Sequence, residues 1–177
     1  MDTTTARSAS HEPSADRPAF PVVGIGASAG GLEAFTQLFE HLPTTTGMAY
    51  IVIQHLDPSH PSLLPGLLSR VTRMPVLEGD DGLTVEPDHV YVMPSNVDMT
   101  LEQGTLALRP RTQRNGQHFA IDTFFISLAH DRQQQAIGVL LSGTASDGTL
   151  GLQAIKAAGG ITFAQDAHTA AFPQMPQ

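Results

Sequence analysis

The sequence predicts an α/β fold, a doubly wound, mostly parallel sheet with helices on both faces and one antiparallel hairpin. Three observations predict it. Short apolar runs alternate with longer runs of helical periodicity, the order that builds βαβ units. The runs "VVGIGAS" (22–28), "MAYIVIQHL" (48–56) and "AIGVLLSG" (136–143) are nearly continuously apolar, as strands covered on both faces must be. One segment, "MTLEQGTLALRP" (99–110), holds two short runs around a glycine and reads as a hairpin.

Taken in order, residues 1–20 are rich in Ser, Thr, Ala and Pro with scattered charge, and are expected to be a disordered tail. Residues 21–177 are expected to form a single domain. The first strand runs into a Gly/Ala/Ser turn. "LEAFTQLFEHL" (32–42) places Leu32, Phe35, Leu38, Phe39 and Leu42 on one helical face. A strand over 48–56 follows, then a helix over 62–71 with Pro65 in its first turn. "VYVMP" (90–94) is a strand, 99–110 the hairpin and "IDTFFISLAHD" (121–131) an amphipathic helix. After the strand at 136–143 comes a helix over 147–160 ended by glycines, then a last strand, "ITFAQD" (161–166).

Composition narrows the function. Apolar residues make up 41% and charged residues 15%, ordinary for a soluble globular chain. Nine Lys+Arg against seventeen Asp+Glu give a net charge of −8 with no basic run, which argues against nucleic acid. Without cysteine there are no disulfides, thiolate metal sites or cysteine nucleophiles. No apolar run approaches the ~20 residues of a membrane span, and the N-terminus has no apolar signal region. Membrane insertion is therefore not expected, and a cytoplasmic location is.

In an open α/β sheet, sites form beyond the carboxyl ends of strands. Three polar residues stand there: Ser28 after the first strand, His55 after the second, and Asp147 after the run at 136–143. A hydroxyl is a weak nucleophile. An imidazole can take its proton, and a carboxylate can orient the imidazole. Gly26-Ala27-Ser28-Ala29-Gly30 also fits G-x-S-x-G between a strand and a helix, although the chain order Ser, His, Asp differs from that of α/β-hydrolases.

Plainer readings stand beside this one. Ser28 can be a small residue in a glycine turn, His55 a hydrogen-bonded strand end, and Ser146 or Asp147 the cap of the following helix. Gly24, Gly26 and Gly30 also spell a variant dinucleotide loop, but no clear acidic ribose ligand follows the second strand. His55, Asp57 and His60 crowd into six residues, yet match no familiar metal spacing. Neither a cofactor nor a metal is expected. The other histidines, including His118, read as tail, helix-end or surface positions.

The blocks "VVGIGASAGGLEA" (22–34), "VIQHL" (52–56), "VYVMPSN" (90–96), "ID-FF-SLA" (121–129) and "GVLLSGTASDGTLGL" (138–152) resemble the catalytic domain of the chemotaxis receptor methylesterase (CheB) family, in the version fused to a receptor methyltransferase. The resemblance implies a doubly wound α/β sheet with Ser28, His55 and Asp147 as catalytic residues. It implies hydrolysis of glutamyl methyl esters on chemoreceptors with release of methanol, and deamidation of receptor glutamines. Methyltransferase and sensor-kinase modules are the further partners it implies. Alternatives are a non-catalytic signalling or docking module built on the same domain, and a nucleotide-binding domain. Backbone N–H groups at Ser28, Ala29 and Thr144 are the expected oxyanion donors. Ala29 stands where the family commonly has Ser or Thr, and Thr144 where it commonly has Met. The family continues past "FPQMPQ" and often carries a receiver domain. The domain over 21–177 is therefore expected to be C-terminally incomplete.

Overall fold

A computed structural model describes residues 20–55, 62–113, 116–144 and 146–177. The expected tail lies outside these except for Phe20. That residue is buried in the core, its ring centre 5.1 Å from Arg132 Cζ.

Six strands form one sheet: β1 (Val22–Ala27), β2 (Ala49–Gln54), β3 (Val76–Glu78), β4 (Val90–Val92), β7 (Ala136–Leu140) and β8 (Ile161–Ala164). Their order is β3-β4-β2-β1-β7-β8, and every pairing is parallel. β5 (Val97–Glu102) and β6 (Thr105–Pro110) pair separately as the antiparallel hairpin. Its two turn residues, Gln103 and Gly104, have φ of 55° and 78°, the left-handed conformation that a two-residue hairpin loop needs. From β1 the chain passes to β2, skips a place to the edge strand β3, comes back to β4 between them, and after the hairpin and α3 reaches β7 on the other side of β1. The switch point therefore lies at the carboxyl end of β1, where ligands bind in such sheets.

Period-two alternation sorts β1 between two cores. Val23, Ile25 and Ala27 face α1 (Gly31–His41) and α2 (Leu64–Leu68), packing with Phe35, Phe39, Leu64 and Leu68. Val22, Gly24 and Gly26 face α3 (Ala120–Arg132), while α4 (Thr149–Ala157) packs beside α3 on the same side. The two glycines let α3 press onto the sheet. A Cβ on Gly26 would stand 2.5 Å from Ile121 Cγ2, and one on Gly24 2.9 Å from Phe125 Cε1.

The elements follow the sequence expectation with two differences. β3 is a further strand, too short and too exposed to show a period. α3 is not amphipathic: Ile121, Asp122, Phe124, Phe125, Leu128 and Arg132 are all buried, because it lies between the sheet and the hairpin. Ser127 on α3 accepts the Leu101 N–H of the hairpin at 3.0 Å.

Candidate active site

Ser28 and His55 leave the ends of β1 and β2 as successive register partners. Ala27 pairs with Gln54, and the His55 N–H still donates to the Ala27 carbonyl at 3.4 Å, so the parallel ladder runs one step past both strands. Neighbouring strands lie about 4.8 Å apart. The backbone alone therefore sets the serine next to the histidine. Ile51 and Ile53 of β2 point into the α3 core, and His55 shares their parity. Its ring accordingly reaches the N-terminus of α3.

Asp147 arrives there by a different route. β7 ends at Leu140, and a loop carries the chain to Asp147, whose Oδ2 lies 2.7 Å from His55 Nε2. The same carboxylate accepts the N–H groups of Ile121 at 2.9 Å and Asp122 at 2.8 Å. Those are orphan donors of the first turn of α3, so the buried charge sits at the positive end of a thirteen-residue helix. Asp147 is a cap, as the plainer reading has it, but of α3 and not of the helix that follows it. The helix that follows, α4, has Gly148 at its N-cap with φ 101° and no side-chain cap. Its donors Gly148 N–H and Gly151 N–H go instead to Asp122 Oδ1, at 2.9 and 2.8 Å. Each of two neighbouring helices is thus capped by a carboxylate next to the other's start. Burial pushes the Asp122 carboxyl above its ordinary value and the nearby Asp147 charge adds to this, while the Gly151 and Gly148 N–H groups oppose it.

Because Asp147 occupies Nε2, Nδ1 is the ring nitrogen left for Ser28. Among the described residues no hydrogen bond joins the Ser28 hydroxyl to His55. The Ser28 N–H, an expected oxyanion donor, is already used: it donates to the Ser142 carbonyl at 2.9 Å. The Ala29 N–H has no partner among the described residues. Gly30 then turns the chain into α1 with φ 75°. Ser142, unnoticed in the sequence, ties this turn down. Its hydroxyl donates to the Ala29 carbonyl at 2.8 Å and accepts the Phe172 N–H at 2.9 Å.

His55 and Asp147 open onto a cavity of about 630 Å³ that Arg111, His118, Phe119 and Thr144 also line. His118 is not the surface residue expected. Its side chain is only 8% exposed, its Nε2 is 2.5 Å from Asp98 Oδ1, and its ring centre is 6.3 Å from that of His55. Asp98 also accepts the Thr112 hydroxyl and N–H through Oδ2, at 2.5 and 3.0 Å. Burial raises the Asp98 carboxyl, but Thr112 and His118 outweigh it and hold the group below its ordinary value. A second histidine–aspartate pair thus stands beside the first. Nothing in the sequence marks it, since Asp98 and His118 come from different elements.

The glycines of the dinucleotide-like pattern have another use here, since Gly24 and Gly26 are spaces for Phe125 and Ile121. The possible metal set of His55, Asp57 and His60 falls mostly within residues 56–61, outside the described residues. Among the described residues no cluster of three or more His, Asp or Glu could hold a metal. No helix among them is long and apolar enough to cross a membrane.

Residues 23–177 match the family model of the CheB methylesterase. The protein-glutamate methylesterase/protein-glutamine glutaminase 2 of Burkholderia lata is 35% identical over 178 residues, covering 100% of this chain and 52% of that protein. Its Pseudomonas aeruginosa namesake is 33% identical over 189 residues, covering 98% and 54%. The chain therefore spans about half the length of these curated relatives. The crystal structure of the Thermotoga maritima CheB methylesterase catalytic domain superposes with a TM-score of 0.80 at 27% identity, covering 89% of this chain and 85% of that one.

Proposed function

Because the chain belongs to the CheB methylesterase family, we propose that it is a serine hydrolase that removes methyl esters from glutamyl side chains of chemoreceptors. The contact of 2.7 Å between His55 and Asp147, with His55 directly across the strand pairing from Ser28, carries this reading. Ser28 Oγ attacks the ester carbonyl carbon while His55 Nδ1 takes the hydroxyl proton. Asp147 holds the ring by Nε2 and balances the imidazolium. The carbon–methoxy bond breaks, and the methoxy group leaves as methanol with the proton from His55. Water then gives its proton to His55, attacks the acyl-serine and releases the glutamate carboxylate with Ser28 restored. The donors proposed for the developing oxyanion are the Ala29 N–H, at the positive end of α1, and the Thr144 N–H.

A glutamine amide enters the same sequence with ammonia as the leaving group, so deamidation is proposed as a second outcome of the same acyl-serine. The relatives' names, which pair the two activities, support it. The partner is a methylated chemoreceptor, and the block resemblance adds receptor methyltransferase and sensor-kinase modules. A cytoplasmic site of action accords with this partner.

Ser28→Ala is expected to abolish methanol release from a methylated receptor with an unchanged circular dichroism spectrum. A fluorophosphonate should label the parent chain at Ser28 alone. Full activity in Ser28→Ala rejects the serine mechanism. Absence of labelling in a folded chain supports the docking alternative.

A further inference from the structure

Asp122 is a buried acid that the reaction above does not use. Its Oδ1 accepts the Gly148 N–H at 2.9 Å and the Gly151 N–H at 2.8 Å, and the Leu150 N–H also donates to the carboxylate. In the other direction, the Asp122 N–H donates to Asp147 Oδ1 at 2.8 Å. Residue 122 and the pair 147–148 are therefore joined twice, main chain to side chain each way, as in a capping box but between two helices. With Oδ1 of Asp147 committed to this ring, Oδ2 is the oxygen left to take the Ile121 N–H at 2.9 Å and to meet His55 Nε2 at 2.7 Å.

A cap for α4 alone needs no such ring. Position 148 is that helix's own N-cap, where a Ser or Asp side chain would serve, yet it holds Gly148 at φ 101°. A Cβ there would stand 2.6 Å from Leu140 Cδ1 and 2.9 Å from Ile121 Cγ2, so the close approach of β7 and α3 keeps the position bare and leaves its N–H to Asp122. The peptide between Asp147 and Gly148 takes its direction from that bond. We propose that Asp122 is a positioning residue for the ester hydrolysis: by holding the Gly148 N–H it sets the rotation of the Asp147 carboxylate, and through that carboxylate the Nε2–H tautomer and the tilt of His55. The proposal rests on the esterase reading for its effect on rate; the hold on His55 follows from the hydrogen-bond ring. Misplacing a reacting group by about 1 Å costs on the order of a hundredfold in rate.

Asp122→Ala removes the acceptor, and Asp122→Asn keeps it as an amide oxygen. In methanol release from a methylated receptor, Asp122→Ala is expected to lower kcat about tenfold to a hundredfold with KM unchanged, and Asp122→Asn to recover most of the loss. Phe39→Leu, in the core on the opposite face of the sheet, controls for lost stability and keeps the parent kcat at an equal fall in melting temperature. Nitrogen-15 NMR of the histidines above about pH 8, where the ring is neutral, reads the relay without turnover, with His55→Gln assigning the signal. His55 is expected to carry its proton on Nε2 in the parent and in Asp122→Asn, and to share it with Nδ1 in Asp122→Ala. Asp122→Ser, whose side chain is one bond shorter, repeats both measurements if Asp122→Ala does not fold. A parent-like kcat in Asp122→Ala, a loss matched by Phe39→Leu, a loss that Asp122→Asn shares in full, or an unchanged tautomer overturns the positioning role. A tautomer change in Asp122→Ala when the parent chain releases no methanol keeps the hold on His55 and removes the esterase reading.

Discussion

Asp98 and Asp122 are both buried, yet their surroundings pull their carboxyls in opposite directions. Asp98 has hydroxyl, amide and imidazole donors that prefer its ionised form, so its folded value is lowered. Its contribution to stability is present above the unfolded carboxyl value of about 3.9 and is lost as pH falls through the folded value. Asp122 is raised by burial and by Asp147. Its contribution is full below the ordinary carboxyl value and falls as pH rises through the raised one. Asp98→Asn should therefore melt lower than the parent at pH 7, with the gap narrowing below about pH 4. Thermal melts at pH 7 and pH 3 check this, and a constant gap contradicts it. At this scale the sequence was partly legible. Ser28, His55 and Asp147 were legible as candidates because each follows an apolar run. Asp98, His118 and Arg111 were not, because an apolar run points to the residue at its end and says nothing of what folds over it.

At the scale of elements, the position of α3 decides the site. Its N-terminus holds Asp147, and it reaches that place only because β1 offers no side chains at Gly24 and Gly26. Gly26→Ala would bring a methyl to 2.5 Å from Ile121 Cγ2, one residue from Asp122. Overpacking of this kind costs about 1–3 kcal/mol. Urea unfolding should show that loss, accompanied by a fall in methanol release as α3 moves off the sheet. An unchanged midpoint would mean that Ile121 has another rotamer to take. The strand, turn and helix pattern around β1 was plain in the sequence. The reason for its glycines was not, because close approach to a helix almost a hundred residues later leaves no local signature.

For the whole molecule, the C-terminal segment fastens the loop between β7 and Asp147. The Gly143 N–H donates to the Phe172 carbonyl at 2.9 Å, and the Met175 N–H donates to the Gly143 carbonyl at 3.0 Å. The Met175 side chain is 2% exposed and fills the space a Cβ on Gly143 would need. Truncating it as Met175→Ala should cost about 2–5 kcal/mol. It should also lower methanol release at temperatures well below the melting point, since a looser loop holds Asp147 less firmly. Activity falling only in step with global unfolding would place Met175 outside the site's support.

Alternation of apolar runs with helical faces was enough to determine the α/β class, the hairpin and the residues at the strand ends, because those depend on local periodicity and on the rule that sites lie beyond strand termini. Only the folded chain decided which helix Asp147 caps, which nitrogen of His55 it takes, and which side chains close the cavity. Hydrogen bonds and buried charges are satisfied by whatever lies within about 3 Å in space, and separation along the chain carries no record of that.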